Sequence, residues 1–156
     1  MADFNSEQYN NGVAQVGTGD FGTMKVCYGT YEIGTALTIG QTIAMFTAPA
    51  GFTPLGGYLL GDDLDTGIEA LEIDVGTAAD ATKYLNSGVI TGDTIANEKI
   101  TAGIKIPLQE DLMTVKPTAF TADTDIILTF TAAATTGGTG TITLYMWGLY
   151  NDPRVI

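Results

Sequence analysis

Apolar and polar residues alternate one by one in run after run of this 156-residue chain. A period of two builds pleated strands with one buried face, because successive side chains of a strand point to opposite sides. Met24, Val26, Tyr28 and Thr30 alternate with Lys25, Cys27, Gly29 and Tyr31, which predicts a first strand at 24–33. A short run at 42–47 is stopped by Ala48, Pro49, Ala50 and Gly51, where proline removes a donor and glycine admits positive φ, so a turn follows. A third strand covers 52–60, and the Gly56, Gly57 pair inside it signals a bulge or the close approach of another backbone. The run at 68–75 sets Leu71, Ile73 and Val75 on a buried face and Ala70, Glu72 and Asp74 on a wet outer one.

Residues 77–86 are the one segment with helical character, a turn or two with Thr77 as N-cap and Gly88 beyond the end. Brief strands follow at 104–106 and 112–115, with Pro107 between them. Near the end, Ile126, Leu128 and Phe130 oppose Ile127, Thr129 and Thr131. After the turn-rich 135–140 the alternation resumes in Ile142, Leu144 and Met146, which reads as a β-hairpin. Seven or eight strands with turn signals every 8 to 12 residues or so predict an all-β, antiparallel sandwich or barrel in one domain, 23–156. Residues 1–22 lack sustained periodicity and carry too little apolar area to fold alone, so they are expected to form an extended N-terminal arm.

Composition narrows the function. Charged residues make up 15% of the chain, against roughly 25% in an average soluble protein. Their place is taken by 25 Thr and 20 Gly, which suit pleated surfaces and the turns between strands. The net charge is −12, and the six cations, Lys25, Lys83, Lys99, Lys105, Lys116 and Arg154, are scattered. Nucleic acids and anionic membranes both require clustered positive charge, so neither is expected as a partner. The first residues offer no secretory signal and no apolar run reaches about 18 residues, so the expectation is a protein made soluble in the cytoplasm. The single Cys27 lies in a strand pattern and reads as a small buried hydrophobe, with no redox role.

The chain contains no histidine. That removes the usual general base, the Ser-His-Asp and Cys-His arrangements and every His-ligated metal site. Paired carboxylates remain chemically conceivable, but the acidic residues fall mostly in turns beside glycine. Residues 17–22 match G-x-G-x-x-G letter for letter, yet a strand follows where the dinucleotide fingerprint needs a helix N-terminus. Asp62, Asp63 and Asp65 put three carboxylates in one loop without the spacing or terminal Glu of an EF-hand, so a solvated turn is expected there and an ion is the alternative. No catalytic, cofactor-binding or metal-ligating residue is assigned, and the chain is expected not to be an enzyme. Tyr145, Trp147 and Leu149 share one face of the last strand, with Met146 and Tyr150 on the other; a core-plus-edge strand and a subunit interface both fit.

Several phrases in this order carry a resemblance: 48–52 leading into a strand, the stretch 71–85, the stretch 122–130, and a Gly/Thr-rich turn into 142–150. Across residues 24–150 the sequence resembles the head-decoration (cement) proteins of tailed bacteriophages. The resemblance implies a jelly-roll-like β-sandwich and a homotrimer on the outer surface of a capsid, in contact with the major capsid protein. It also implies an N-terminal arm that touches the shell or a neighbour, and it transfers no site residue. A tail or fibre component of a virion is the nearest alternative. A carbohydrate-binding sandwich that uses its Tyr or Trp faces is another, and would expose Trp147 or Tyr145 in a groove.

Overall fold

The computed structural model describes residues 4–5, 23–62, 64, 71–86, 104–108, 117–134 and 137–151, which form eight strands and no helix. They are β1 (Phe4–Asn5), β2 (Thr23–Ile33), β3 (Thr42–Ala48), β4 (Phe52–Gly61), β5 (Glu72–Gly76), β6 (Ile104–Pro107), β7 (Thr124–Ala132) and β8 (Gly140–Tyr150). One sheet runs β1-β3-β7-β5 and the other β2-β8-β4-β6. From β2 to β8 successive strands alternate between the sheets without exception, the double-sheet winding of a jelly roll. All pairings are antiparallel except β1 beside β3, which is parallel. The fold expected from the alternation is thus the observed one, and it is a sandwich.

The core is filled from both inner faces. The central strands supply Ile126, Leu128 and Phe130 from β7, and Ile142, Leu144 and Met146 from β8, all at most 1% exposed. Burial of each such side chain stabilises the fold by about 1.5–3 kcal/mol relative to full exposure, an upper figure because unfolded chains already bury some area. Phe46, Phe52, Leu59 and Tyr84 are among the largest side chains wholly buried in the same core. Four consecutive β3 residues, Ile43, Ala44, Met45 and Phe46, are buried, and the β3–β7 register slips by one at Met45. A bulge of this kind turns two neighbours to the same side and breaks the strict alternation.

Three expectations are corrected. The last two strands are not a hairpin: β7 belongs to the sheet of β3 and β5, β8 lies between β2 and β4, and the glycine-rich connection crosses from one sheet to the other. The segment 77–86 is a hooked loop, not a helix. Its Thr77 and Asp80 exchange backbone hydrogen bonds, the Asp80 carboxylate accepts from the Thr82 N–H at 3.2 Å, and the chain then returns to β5, where Leu85 bridges Val75. Gly76 makes the return possible, since a Cβ there would collide with the Asp80 carbonyl and the Ala81 backbone. Finally, Asp74 keeps its outward register beside Thr129 but is only 6% exposed, so it is covered rather than wet, while Glu72 stays half-buried. The stretch 68–70, the strand expected at 112–115, the glycine run 17–22 and most of the arm lie outside the described residues.

Candidate interaction surface

The two sheets differ in what they turn outward. On β3, β7 and β5 the outward positions include Thr42, Thr129 and Asp74, in register with one another, and Asp125, whose carboxylate accepts a 2.7 Å hydrogen bond from the Thr47 hydroxyl. Polar groups therefore dominate the outer side of that sheet. The outer side of β2, β8 and β4 is apolar and aromatic.

Its order follows from the register. Met24, Leu149 and Thr53 form one row across the three strands, Val26, Trp147 and Gly56 the next, then Tyr28, Tyr145 and Tyr58, then Thr30, Thr143 and Leu60. Met24 is 62% and Val26 46% exposed, although both belong to a well-paired strand and not to a loop. Within the third row the Tyr28 and Tyr145 rings stack at 5.7 Å between centroids and 23° between planes. Tyr58 leans against Trp147 at 5.1 Å and 46°. Offset and tilted contacts of this kind each add about 0.5–1.5 kcal/mol beyond area burial. They also fix the rings before any partner arrives.

Gly56 lets the indole lie down. A Cβ at that position would run into the Trp147 ring, so glycine here is the floor on which Trp147 rests. Beside it, Leu55 is the extra residue of a bulge, since the register slips between Pro54 and Gly56, and its side chain is 37% exposed. The glycine pair read from the sequence thus serves both purposes expected of it, with a Cβ on Gly57 meeting the Tyr145 carbonyl and the Leu108 side chain. The row ends in polar groups. Thr30 and Thr143 hydroxyls lie 3.1 Å apart, and Glu32 follows at the margin.

Chemistry elsewhere is sparse. Cys27 is 1% exposed, and burial pushes its thiol up to about 12, which keeps it protonated and unreactive. The Asp62 carboxylate accepts the Thr141 N–H at 2.8 Å and so anchors the start of β8; Asp63 and Asp65 lie outside the described residues. Among the described residues no cluster of three or more acidic or thiol side chains is placed to hold a metal ion. A shallow recess of about 280 Å³ beside Tyr31 is lined by Gly34, Thr35, Ala36, Leu37 and Gln41, none of them acidic or basic. The sequence singled out Tyr145, Trp147 and Leu149 for one face and Met146 for the other, and the strand bears this out. It grouped Tyr28 with Met24, Val26 and Thr30 along the first strand but did not join them to this face, and it did not single out Tyr58; both depend on cross-strand register.

Against known proteins, the first match is to a chain of the cyanophage Pam1 capsid asymmetric unit, with 25% identity and a TM-score of 0.66 over 96% of this chain and 99% of that one. Over nearly its whole length the chain resembles a component of a phage capsid. A chain from the capsid of Ralstonia phage GP4 has 17% identity, a TM-score of 0.70, and coverage of 94% and 97%. One from the acid-stable capsid of the Helicobacter pylori bacteriophage KHP30 has 9% identity, a TM-score of 0.56, and coverage of 83% and 90%. The last two likenesses are of fold. No protein-family model and no curated protein matches the sequence.

Proposed function

We propose that this chain is a virion structural protein that decorates and stabilises a bacteriophage capsid from its outer surface, as an oligomer and without enzymatic activity. The observation that carries the reading is the 25% identity to a chain of a phage capsid asymmetric unit, sustained over nearly the whole of both chains. A sandwich with one apolar outer face suits assembly, because many weak contacts repeated by symmetry hold as firmly as one strong contact. A homotrimer seated on the major capsid protein is the form this takes. Residues 1–22 serve as an arm that reaches the shell or a neighbour, beginning with the short β1 pairing against β3.

Two measurements test it together: the molar mass of the purified protein by light scattering after size exclusion, and its co-sedimentation with phage heads lacking their own decoration. A trimer that pellets with heads is the expected result. A monomer that stays in the supernatant overturns the reading, and pelleting with tails but not heads moves the protein to another part of the virion. Removal of residues 1–20 is expected to abolish head binding while the far-UV β signal persists; full binding by the truncated chain refutes the role of the arm.

A further inference from the structure

Tyr28 and Tyr145 are register partners on neighbouring strands, and their rings stack with centroids 5.7 Å apart. We infer that the pair is a cross-linking site, at which one-electron oxidation joins the two rings by a carbon–carbon bond and staples β8 to β2. The chemistry needs neither a capsid nor a second copy of the chain.

A phenol that loses an electron and its proton leaves a radical whose spin lies largely on the ring carbons beside the oxygen. Two such radicals couple through those carbons where the rings can meet. Here a long antiparallel ladder holds the rings opposite each other, with 23° between their planes. Both side chains are half-buried and keep some contact with solvent. Such side chains turn between rotamers in times on the order of nanoseconds, so the rings can pass from the stack to the edge contact that the new bond requires. On the other side of Tyr145 the row continues with its register partner Tyr58, which leans on Trp147 at 5.1 Å. The four rings form one series across three adjacent strands, and an oxidising equivalent taken up at Trp147 or Tyr58 has a short path to the pair.

The oxidant is hydrogen peroxide, delivered in one-electron steps by a haem peroxidase. Each phenol loses one electron and one proton, and the two radicals form one bond. The hydrogens on the joined carbons then move to the oxygens, and peroxide takes up the two electrons and two protons as two molecules of water. Cys27 does not compete, because it is 1% exposed and burial pushes its thiol up to about 12, so no thiolate is offered. The link closes a loop of about 120 residues, and loops of that length constrain the unfolded chain strongly.

The test treats the full chain, dilute, with a haem peroxidase and one equivalent of peroxide. The expected product shows the blue fluorescence of a biphenol, runs as a single chain, weighs two hydrogens less than the starting protein, and yields a peptide in which Tyr28 is joined to Tyr145. Its urea midpoint is expected to exceed that of the untreated chain. Tyr28→Phe and, separately, Tyr145→Phe keep a ring in place but remove the phenol, so the fold is expected to survive, as far-UV circular dichroism will report, and the product to disappear. In both variants the urea midpoint should no longer respond to oxidation, whereas Tyr31→Phe should behave as the unmodified chain does. Absence of biphenol from the unmodified chain overturns the inference. So does a product that persists in the two Phe variants, one that joins other tyrosines, or one found only between chains.

Discussion

Leu144→Ala tests the assignment of inner and outer faces on the central strand β8. Leu144 is 0% exposed, with Gly29 opposite it on β2 and Leu59 opposite it on β4. Truncation removes three carbons, and at about 0.8 kcal/mol for each the lost transfer energy is about 2.4 kcal/mol. Gly29 has no side chain to swing into the space, so relaxation is incomplete. A residual cavity of about 50 Å³ adds about 1.2 kcal/mol at roughly 24 cal/mol per Å³, which places the total near 3 to 4 kcal/mol. With a urea slope of about 2 kcal/mol/M, the unfolding midpoint falls by roughly 1.5–2 M. The assay is urea unfolding followed by Trp147 fluorescence at one fixed chain concentration, which holds constant any stability that the proposed self-association would add by mass action. Thr143→Ala, one residue earlier and on the outer face, loses only the 3.1 Å hydroxyl pair with Thr30, worth about 0.5–1 kcal/mol. A cost below about 1 kcal/mol for Leu144→Ala, or equal costs for the two variants, refutes the register, since a slip of one residue exchanges the faces.

Cys27 should resist thiol reagents in the native state and react at the rate of unfolding. Its folded pKa of about 12 lies above the ordinary 9.0, so the unfolded chain releases the proton first. Stability is then lost as pH rises between those values, by up to about 1.4 kcal/mol per pH unit; Cys27→Ala should flatten that slope, and an unchanged slope contradicts the cause. Gly76→Val forces the hooked loop off β5, with an expected cost of about 2–3 kcal/mol from overpacking, visible as a lowered urea midpoint. Asp62→Ala removes the acceptor for the Thr141 N–H and should cost about 1 kcal/mol by the same measure.

Strand positions were legible because alternation is a local property: 24–33, 42–47 and 52–60 coincide with β2, β3 and β4 to within a residue or so. What alternation omits is the partner. Residues 135–140 have the composition of a tight turn, but the same glycines let a chain cross between sheets, and only the distant partners of β7 and β8 decide which happens. The helix expected at 77–86 failed for a related reason. Ala78, Ala79 and Ala81 favour a helix weakly, by tenths of a kcal/mol each, and burial of Tyr84 together with the Leu85 bridge to Val75 outweighs them. In the surface patch, the sets on β2 and β8 could each be read along their own strand, but not their union with Tyr58, since Tyr28, Tyr145 and Tyr58 are neighbours only by register.

The strict alternation of strands also governs when the protein can come into being. β2 has its partner in β8, and the Thr30 and Thr143 that meet there are 113 positions apart in the chain. During synthesis β2 and β4 emerge long before the strand that will join them, so neither can complete its sheet until β8 has left the ribosome. Closing loops of that length before any contact rewards them makes folding slow, in the range of milliseconds to seconds for such β topologies. The exposed aromatic rows are assembled only by that final strand. A nascent chain that has not yet made β8 would therefore lack the stack of Tyr28 on Tyr145 and the contact of Tyr58 with Trp147, and would expose the inner faces of β2 and β4 in place of a finished sheet.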